Sequence, residues 1–178
     1  MRSFSLALLL LTLCPLASIA DDLSDAQALL KRGEPTRALQ KLETHIAAKP
    51  QDAQARFLQG VVLTELTRTE EAKAVFRQLT VEFPEFPEPY NNLAVLYAAS
   101  GNFDVARQAL ESAVRANPKY GTAHENLGDI YAQLARSAYD KAAELESTAA
   151  LQRKLRLARE LAEGAPAGKA PISTGNSK

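Results

Sequence analysis

Three prolines constrain this chain more than any other feature. Pro50, Pro84 and Pro118 recur at one fixed interval, and each closes an apolar-periodic segment: HIAAKP, LTVEFP and VRANP. Proline lacks the amide donor and clashes with the preceding turn, so it stops a helix. Three evenly spaced stops imply tandem units of one length. Within residues 90–110, YNNLAVLYAASGNFDVARQAL, two apolar runs at helical spacing flank a Ser-Gly-Asn break. One unit therefore reads as two helices joined by an abrupt reversal, where Gly101-Asn102 can adopt positive φ.

Shifting the register by that interval tests the repeat. The third unit has Tyr90, Leu93, Ala94 and Tyr97 on its first helix, then Ala106, Leu110 and Pro118. The second unit aligns Gly60, Leu63, Ala72, Phe76, Leu79 and Pro84 with that pattern. HENLGDIY opens a fourth unit with His124, Leu127, Gly128 and Tyr131, while Ala26, Leu29, Gly33, Ala38, Leu42 and Pro50 fit a first. From about Asp22 to Tyr131 the chain resembles the tetratricopeptide repeat family, whose repeat of about 34 residues has this order of aromatic, leucine, small and bulky positions. The resemblance implies an all-α fold, a right-handed superhelical solenoid of antiparallel helix pairs. The units are about 21–52, 53–86, 87–120 and 121–146, three regular and the fourth modified. Small residues at Ala94 and Gly128, met by Ala72 and Ala106 from the partner helices, are expected to let paired helices approach closely. Tyr90, Tyr97, Phe76 and Leu110 are expected to fill the space between units. One unit cannot bury its own apolar face, so the units must stack.

After Tyr131 the sequence AQLARSAYDKAAELE has no Gly, Pro or Asn turn, and residues 122–146 could form one uninterrupted helix. Ser147-Thr148 supplies an N-cap, and a final amphipathic helix over 148–163 is expected to cap the stack. A regular fourth repeat with a shifted turn is the alternative. Residues 164–178, GAPAGKAPISTGNSK, are rich in Pro, Gly, Ser and Ala and read as a disordered tail.

The N-terminus bears on the compartment. MRSFSLALLLLTLCPLASIA has Arg2, an apolar run from Leu6 to Leu16, and small residues at Ser18 and Ala20, the layout of a secretory signal peptide over residues 1–20. Cleavage is predicted between Ala20 and Asp21. A membrane anchor is the rival reading, but the run is shorter than the roughly 20 residues a spanning helix needs. A lipoprotein signal requires a small residue before the cysteine, and Leu13 precedes Cys14. The expected product is exported and periplasmic, with no stable membrane insertion after cleavage. It has no cysteine, so packing alone must hold it together, and about 150 residues can bury enough surface for that. Twenty-one cations balance 21 anions, which gives no field to recruit nucleic acid.

Candidate chemistry is sparse. His45 and His124 are the only histidines, and both fall at positions expected to pack, without a partner at metal-ligand spacing. No catalytic residue, metal or cofactor is expected. The resemblance instead implies a concave groove for a partner protein or peptide, lined by Phe57, Leu58, Val61, Asn91, Asn92, Val95, Glu125, Asn126 and Asp129. Asn92 and Asn126 occupy the position at which some family members hydrogen-bond the main chain of an extended peptide, since an amide can donate and accept together. They could equally bond their own scaffold, and Phe57 could turn sideways into the neighbouring helix. The groove's second-unit end is apolar and its fourth-unit end acidic, which suits an extended segment with apolar side chains and a cation. Arg153, Lys154, Arg156 and Arg159 on the last helix read as a solvated outer face, with anionic lipid or cell-wall polymer as the alternative. The leading expectation is a non-catalytic, monomeric adaptor or scaffold of the bacterial cell envelope. A self-associating structural protein is the alternative.

Overall fold

The computed structural model describes residues 19–164. The expected leader and tail lie outside the described residues, except for Ile19 and Ala20, which open the first helix, and Gly164, which ends the last. Eight helices and no strand occur among the described residues. They are α1 (Ile19–Lys31), α2 (Pro35–Ala48), α3 (Ala53–Glu65), α4 (Thr69–Glu82), α5 (Pro87–Ala99), α6 (Phe103–Ala116), α7 (Gly121–Leu145) and α8 (Ala149–Gly164). Each packs on the next. The first helices of neighbouring units also touch, α1 on α3 and α5 on α7. The fold is an all-α solenoid of antiparallel helix pairs.

Two kinds of joint repeat along it. Inside a unit, the reversal is a Schellman motif centred on Gly33 (φ 74°), Thr67 (φ 58°) and Gly101 (φ 77°), spaced at the same interval as the prolines. In each, the next amide reaches back to close the helix: Glu34 N to Leu29 O at 3.0 Å, Arg68 N to Leu63 O at 2.9 Å, and Asn102 N to Tyr97 O at 3.0 Å. Between units, the last amide bond is made just before the proline: Lys49 N to His45 O, Phe83 N to Leu79 O and Asn117 N to Ala113 O, all at 2.8–2.9 Å. The first of these joints is tied further. His45, 3% exposed, bonds Asp52 Oδ2 through Nε2 at 2.8 Å, and Asp52 Oδ1 caps α3 by accepting from Ala55 N at 3.0 Å.

The core runs through the stack. Leu42, Phe57, Val62, Phe76 and Leu79 fill the first two units, and Ala94, Ala106, Leu110 and Ile130 continue into α7. The Phe57 ring lies 5.8 Å from Phe76 and 5.3 Å from Phe86 between centroids. Arg56, also buried, pairs with Glu82 from the facing helix, and this pairing is the main reason that the Glu82 carboxyl is held below its ordinary range.

The last unit breaks the pattern for a reason legible in its residues. In the regular units the second helix buries Ala38, Ala72 and Ala106 at one position and Leu42, Phe76 and Leu110 four residues on. The same register reaches Asp140 and Glu144. Folding back would bury two carboxylates, at a cost of several kcal/mol each. The turn position itself is Ala135 instead of glycine. So α7 continues for 25 residues, and α8 packs on its far half. Thr148 Oγ1 accepts from Leu151 N at 3.1 Å and starts α8. The continuation also corrects the expectation for Gly128. A Cβ there would meet nothing within 4 Å, because no second helix folds over it. Gly60 does serve as a close-approach site: a Cβ would lie 2.5 Å from Phe76 Cε1.

Candidate interaction surface

The first helices of successive units, α3, α5 and α7, carry the expected groove residues in three equivalent sets: Phe57, Leu58 and Val61; Asn91, Asn92 and Val95; Glu125, Asn126 and Asp129. Seven of these nine are buried, and only Glu125 and Asp129 present surface. Phe57, Leu58 and Val61 are 1–3% exposed and belong to the core of the first two units. Phe57 does turn sideways, into the Phe76 and Phe86 rings, because an aromatic ring gains more from that contact than from water. Val95 (7%) and Asn92 (1%) are covered as well.

The asparagines bond within the scaffold. Asn126 Nδ2 donates to Asn91 Oδ1 at 2.8 Å, joining α7 to α5, and Asn91 Nδ2 approaches Asn92 Oδ1 at 3.4 Å. Asn91 is 0% exposed and Asn126 7%. The sequence pairs Asn92 with Asn126 by register. The bond crosses to the neighbouring residue instead, 35 positions away. The sequence signal that could have found it is the doubled asparagine, whose first member, Asn91, offers the acceptor toward α7.

The acidic end stays accessible. Glu125 is exposed and Asp129 half-buried, and neither forms an ion pair among the described residues. Burial, then the Glu125 charge, push the Asp129 carboxyl above its ordinary value. Glu88, one turn ahead of Asn91 and Asn92 on α5, is 9% exposed and is pushed up by burial. Nothing in the repeat pattern marks it out; its register mates, Gln54 and Thr122, are uncharged. His124, expected to pack, is exposed instead, and its Nε2–H donates to the Pro118 carbonyl at 3.0 Å. Among the described residues no group of three His, Cys, Asp or Glu could hold a metal ion, and no helix is long and apolar enough to cross a membrane.

Stacked antiparallel helix pairs with their first helices in a row define a helical-repeat scaffold for protein–protein interaction. The chain belongs to the tetratricopeptide repeat family, whose model matches residues 23–87 and 91–166. Among the solved structures that resemble it, three are matched along most of their length. TTC0263, a tetratricopeptide repeat protein of Thermus thermophilus, aligns with a TM-score of 0.61 at 22% identity, covering 89% of this chain and 93% of that one. MamA from Desulfovibrio magneticus RS-1 aligns at 0.58 and 19% identity, covering 83% and 77%. The tetratricopeptide domain of Sgt2 from Aspergillus fumigatus aligns at 0.55 and 15% identity, covering 91% and 90%. At these identities the likeness is one of fold.

Proposed function

We propose that this protein is a non-catalytic adaptor or scaffold of the bacterial cell envelope, exported to the periplasm, which holds an extended segment of another protein against the face built by α3, α5 and α7. The observation carrying this reading is the unpaired acidic pair Glu125–Asp129 at the accessible end of that face. The Asp129 carboxylate, penalised by burial and by the Glu125 charge, gains from an incoming Lys or Arg. The buried Asn91–Asn126 bond supports a role for these amides in holding α5 against α7, leaving recognition to the acidic rim.

The test is site-specific photocrosslinking in the intact envelope at positions 125 and 129, with position 108 on α6 as an exposed control. A partner adduct at 125 and 129 but not at 108, lost when Glu125→Lys and Asp129→Lys are combined, is the expected result. Equal capture at 108 would remove the site from this face. Intact mass of the accumulated protein checks export: a chain beginning at Asp21 is expected, and retention of Met1 would refute it.

A further inference from the structure

The last helix delivers the chain to the acidic rim. Arg159 pairs with Asp140 at 2.6 Å, and Gln133 Nε2 donates to the Ala162 carbonyl at 3.0 Å. Going forward along α8 therefore means going backward along α7, and α8 ends at Gly164, just past the second tie. At about 100° per residue, Asp129 falls within about 40° of both Gln133 and Asp140 around α7. It lies on the same strip of the helix, about 6 Å beyond Gln133 at about 1.5 Å per residue. Glu125 follows one turn further, within about 40° of Asp129. A chain that leaves α8 without changing direction passes over both carboxylates.

What leaves α8 has the opposite charge. Residues 165–178, APAGKAPISTGNSK, contain Lys169 and Lys178 and no Asp or Glu. Pro166 and Pro171 oppose a helix and favour extended backbone. From Gly164 to Lys169 an extended chain reaches about 17 Å, whereas Glu125 lies about 12 Å along α7 from Gln133. Lys169 therefore reaches either carboxylate with chain to spare. The surface it meets has no cation of its own: α5 carries no Lys or Arg, and neither does α7 from Gly121 to Gln133. A further carboxylate there lacks a countercharge. Glu88, on the strip of α5 that carries Asn91 and Val95, is 9% exposed and has no ion-pair partner among the described residues.

We propose that residues 165–172 occupy the α5–α7 face of their own chain as an internal ligand, extended, with the Lys169 ammonium at the Glu125–Asp129 pair. A tether this short gives the segment an effective concentration of order millimolar, so a partner reaching the rim must displace it. The contact itself needs no partner; only its consequence for capture rests on the adaptor reading above.

The test joins amines to carboxylates with a water-soluble carbodiimide in the protein as the cell accumulates it, at a low and a high micromolar concentration, and maps the links by mass spectrometry. Lys169 should join Glu125 or Asp129 within one chain, in the same yield at both concentrations. A segment that docks nowhere would join Glu160 and Glu163 instead, which are exposed and nearer in sequence, and that result overturns the proposal. A yield rising with concentration assigns the segment to a second copy and overturns it as well. Lys169 is also a trypsin site. Cleavage after it should be at least about threefold faster in Glu125→Gln with Asp129→Asn than in the wild type, the effect of losing one or two exposed ion pairs. Equal rates, with unchanged helicity by circular dichroism, overturn the proposal. If Lys169 joins the rim while nothing is captured at 125 or 129 in the envelope, the adaptor reading fails and the internal contact stands. Capture there with Lys169 joined only to Glu160 and Glu163 does the reverse.

Discussion

Glycine to alanine at two equivalent positions should change stability in opposite directions. Gly60 on α3 and Gly128 on α7 occupy the same register position, two repeats apart. In a helix interior, alanine is favoured over glycine by roughly 0.5–1 kcal/mol, because glycine loses more backbone freedom on folding. At Gly128 nothing opposes that gain, since an added Cβ meets no atom within 4 Å. Gly128→Ala should therefore stabilise by about 0.5–1 kcal/mol. At Gly60 the added Cβ would lie 2.5 Å from Phe76 Cε1 and 2.7 Å from Cζ, so the ring must retreat nearly an ångström to reach ordinary contact at 3.4 Å. Phe76 is fully buried and its ring abuts Phe57, so the movement propagates through the core. Overpacking of this kind costs about 1–3 kcal/mol, more than the helical gain, and Gly60→Ala should destabilise by about 1–2 kcal/mol. Urea unfolding followed by far-UV circular dichroism reads both, and each change of about 1 kcal/mol shifts the melting temperature by roughly 2–4 °C in a domain of this size. If Gly60→Ala stabilises as much as Gly128→Ala, close approach of α4 is not what requires the glycine, and the packing account of the repeat fails.

Other consequences can be measured in the same way. Thr67→Gly should stabilise by about 1 kcal/mol in urea, because a β-branched residue at φ 58° occupies a place where the neighbouring units use Gly33 and Gly101. Asn126→Ala should cost about 1–3 kcal/mol, since it leaves the buried Asn91 Oδ1 without its donor. Asp129→Asn should raise stability at neutral pH, with the advantage shrinking as pH falls to 3.8 and below. The folded-state carboxyl is pushed up by burial and by Glu125, so the wild type is most penalised where it is charged and recovers as it is protonated. Urea midpoints across a pH series would read that crossover.

The regular part of the architecture was legible in the chain because local chemistry sets it. A proline that follows a helical run ends it, as Pro50, Pro84 and Pro118 do, and Gly101 at φ 77° reverses the chain. Repetition at a fixed interval then implies stacking, since a lone helix pair leaves one apolar side uncovered. The run without a breaker after Tyr131 likewise shows in the sequence and becomes a single helix, α7. Thr67 was not visible as a turn residue, because threonine has no local preference for positive φ and the helices on either side hold it there.

What the tertiary structure alone decided is which side of each helix meets water. Every position on α5 from Asn91 to Leu96 is buried, although the first two are asparagines. The Asn126–Asn91 bond depends on how α5 and α7 stack, which no single helix encodes. Phe57 points into the Phe76 and Phe86 rings for the same reason: its neighbours come from beyond its own helix. Gly128 and Gly60 share one repeat position, yet only Gly60 has a helix packed over it. The outward turn of Leu157 and Leu161 on α8 follows from where α7 ends and how Gln133 and Asp140 grip the last helix. Periodicity specifies that a helix has an apolar side, whereas the order in which helices stack specifies what that side touches.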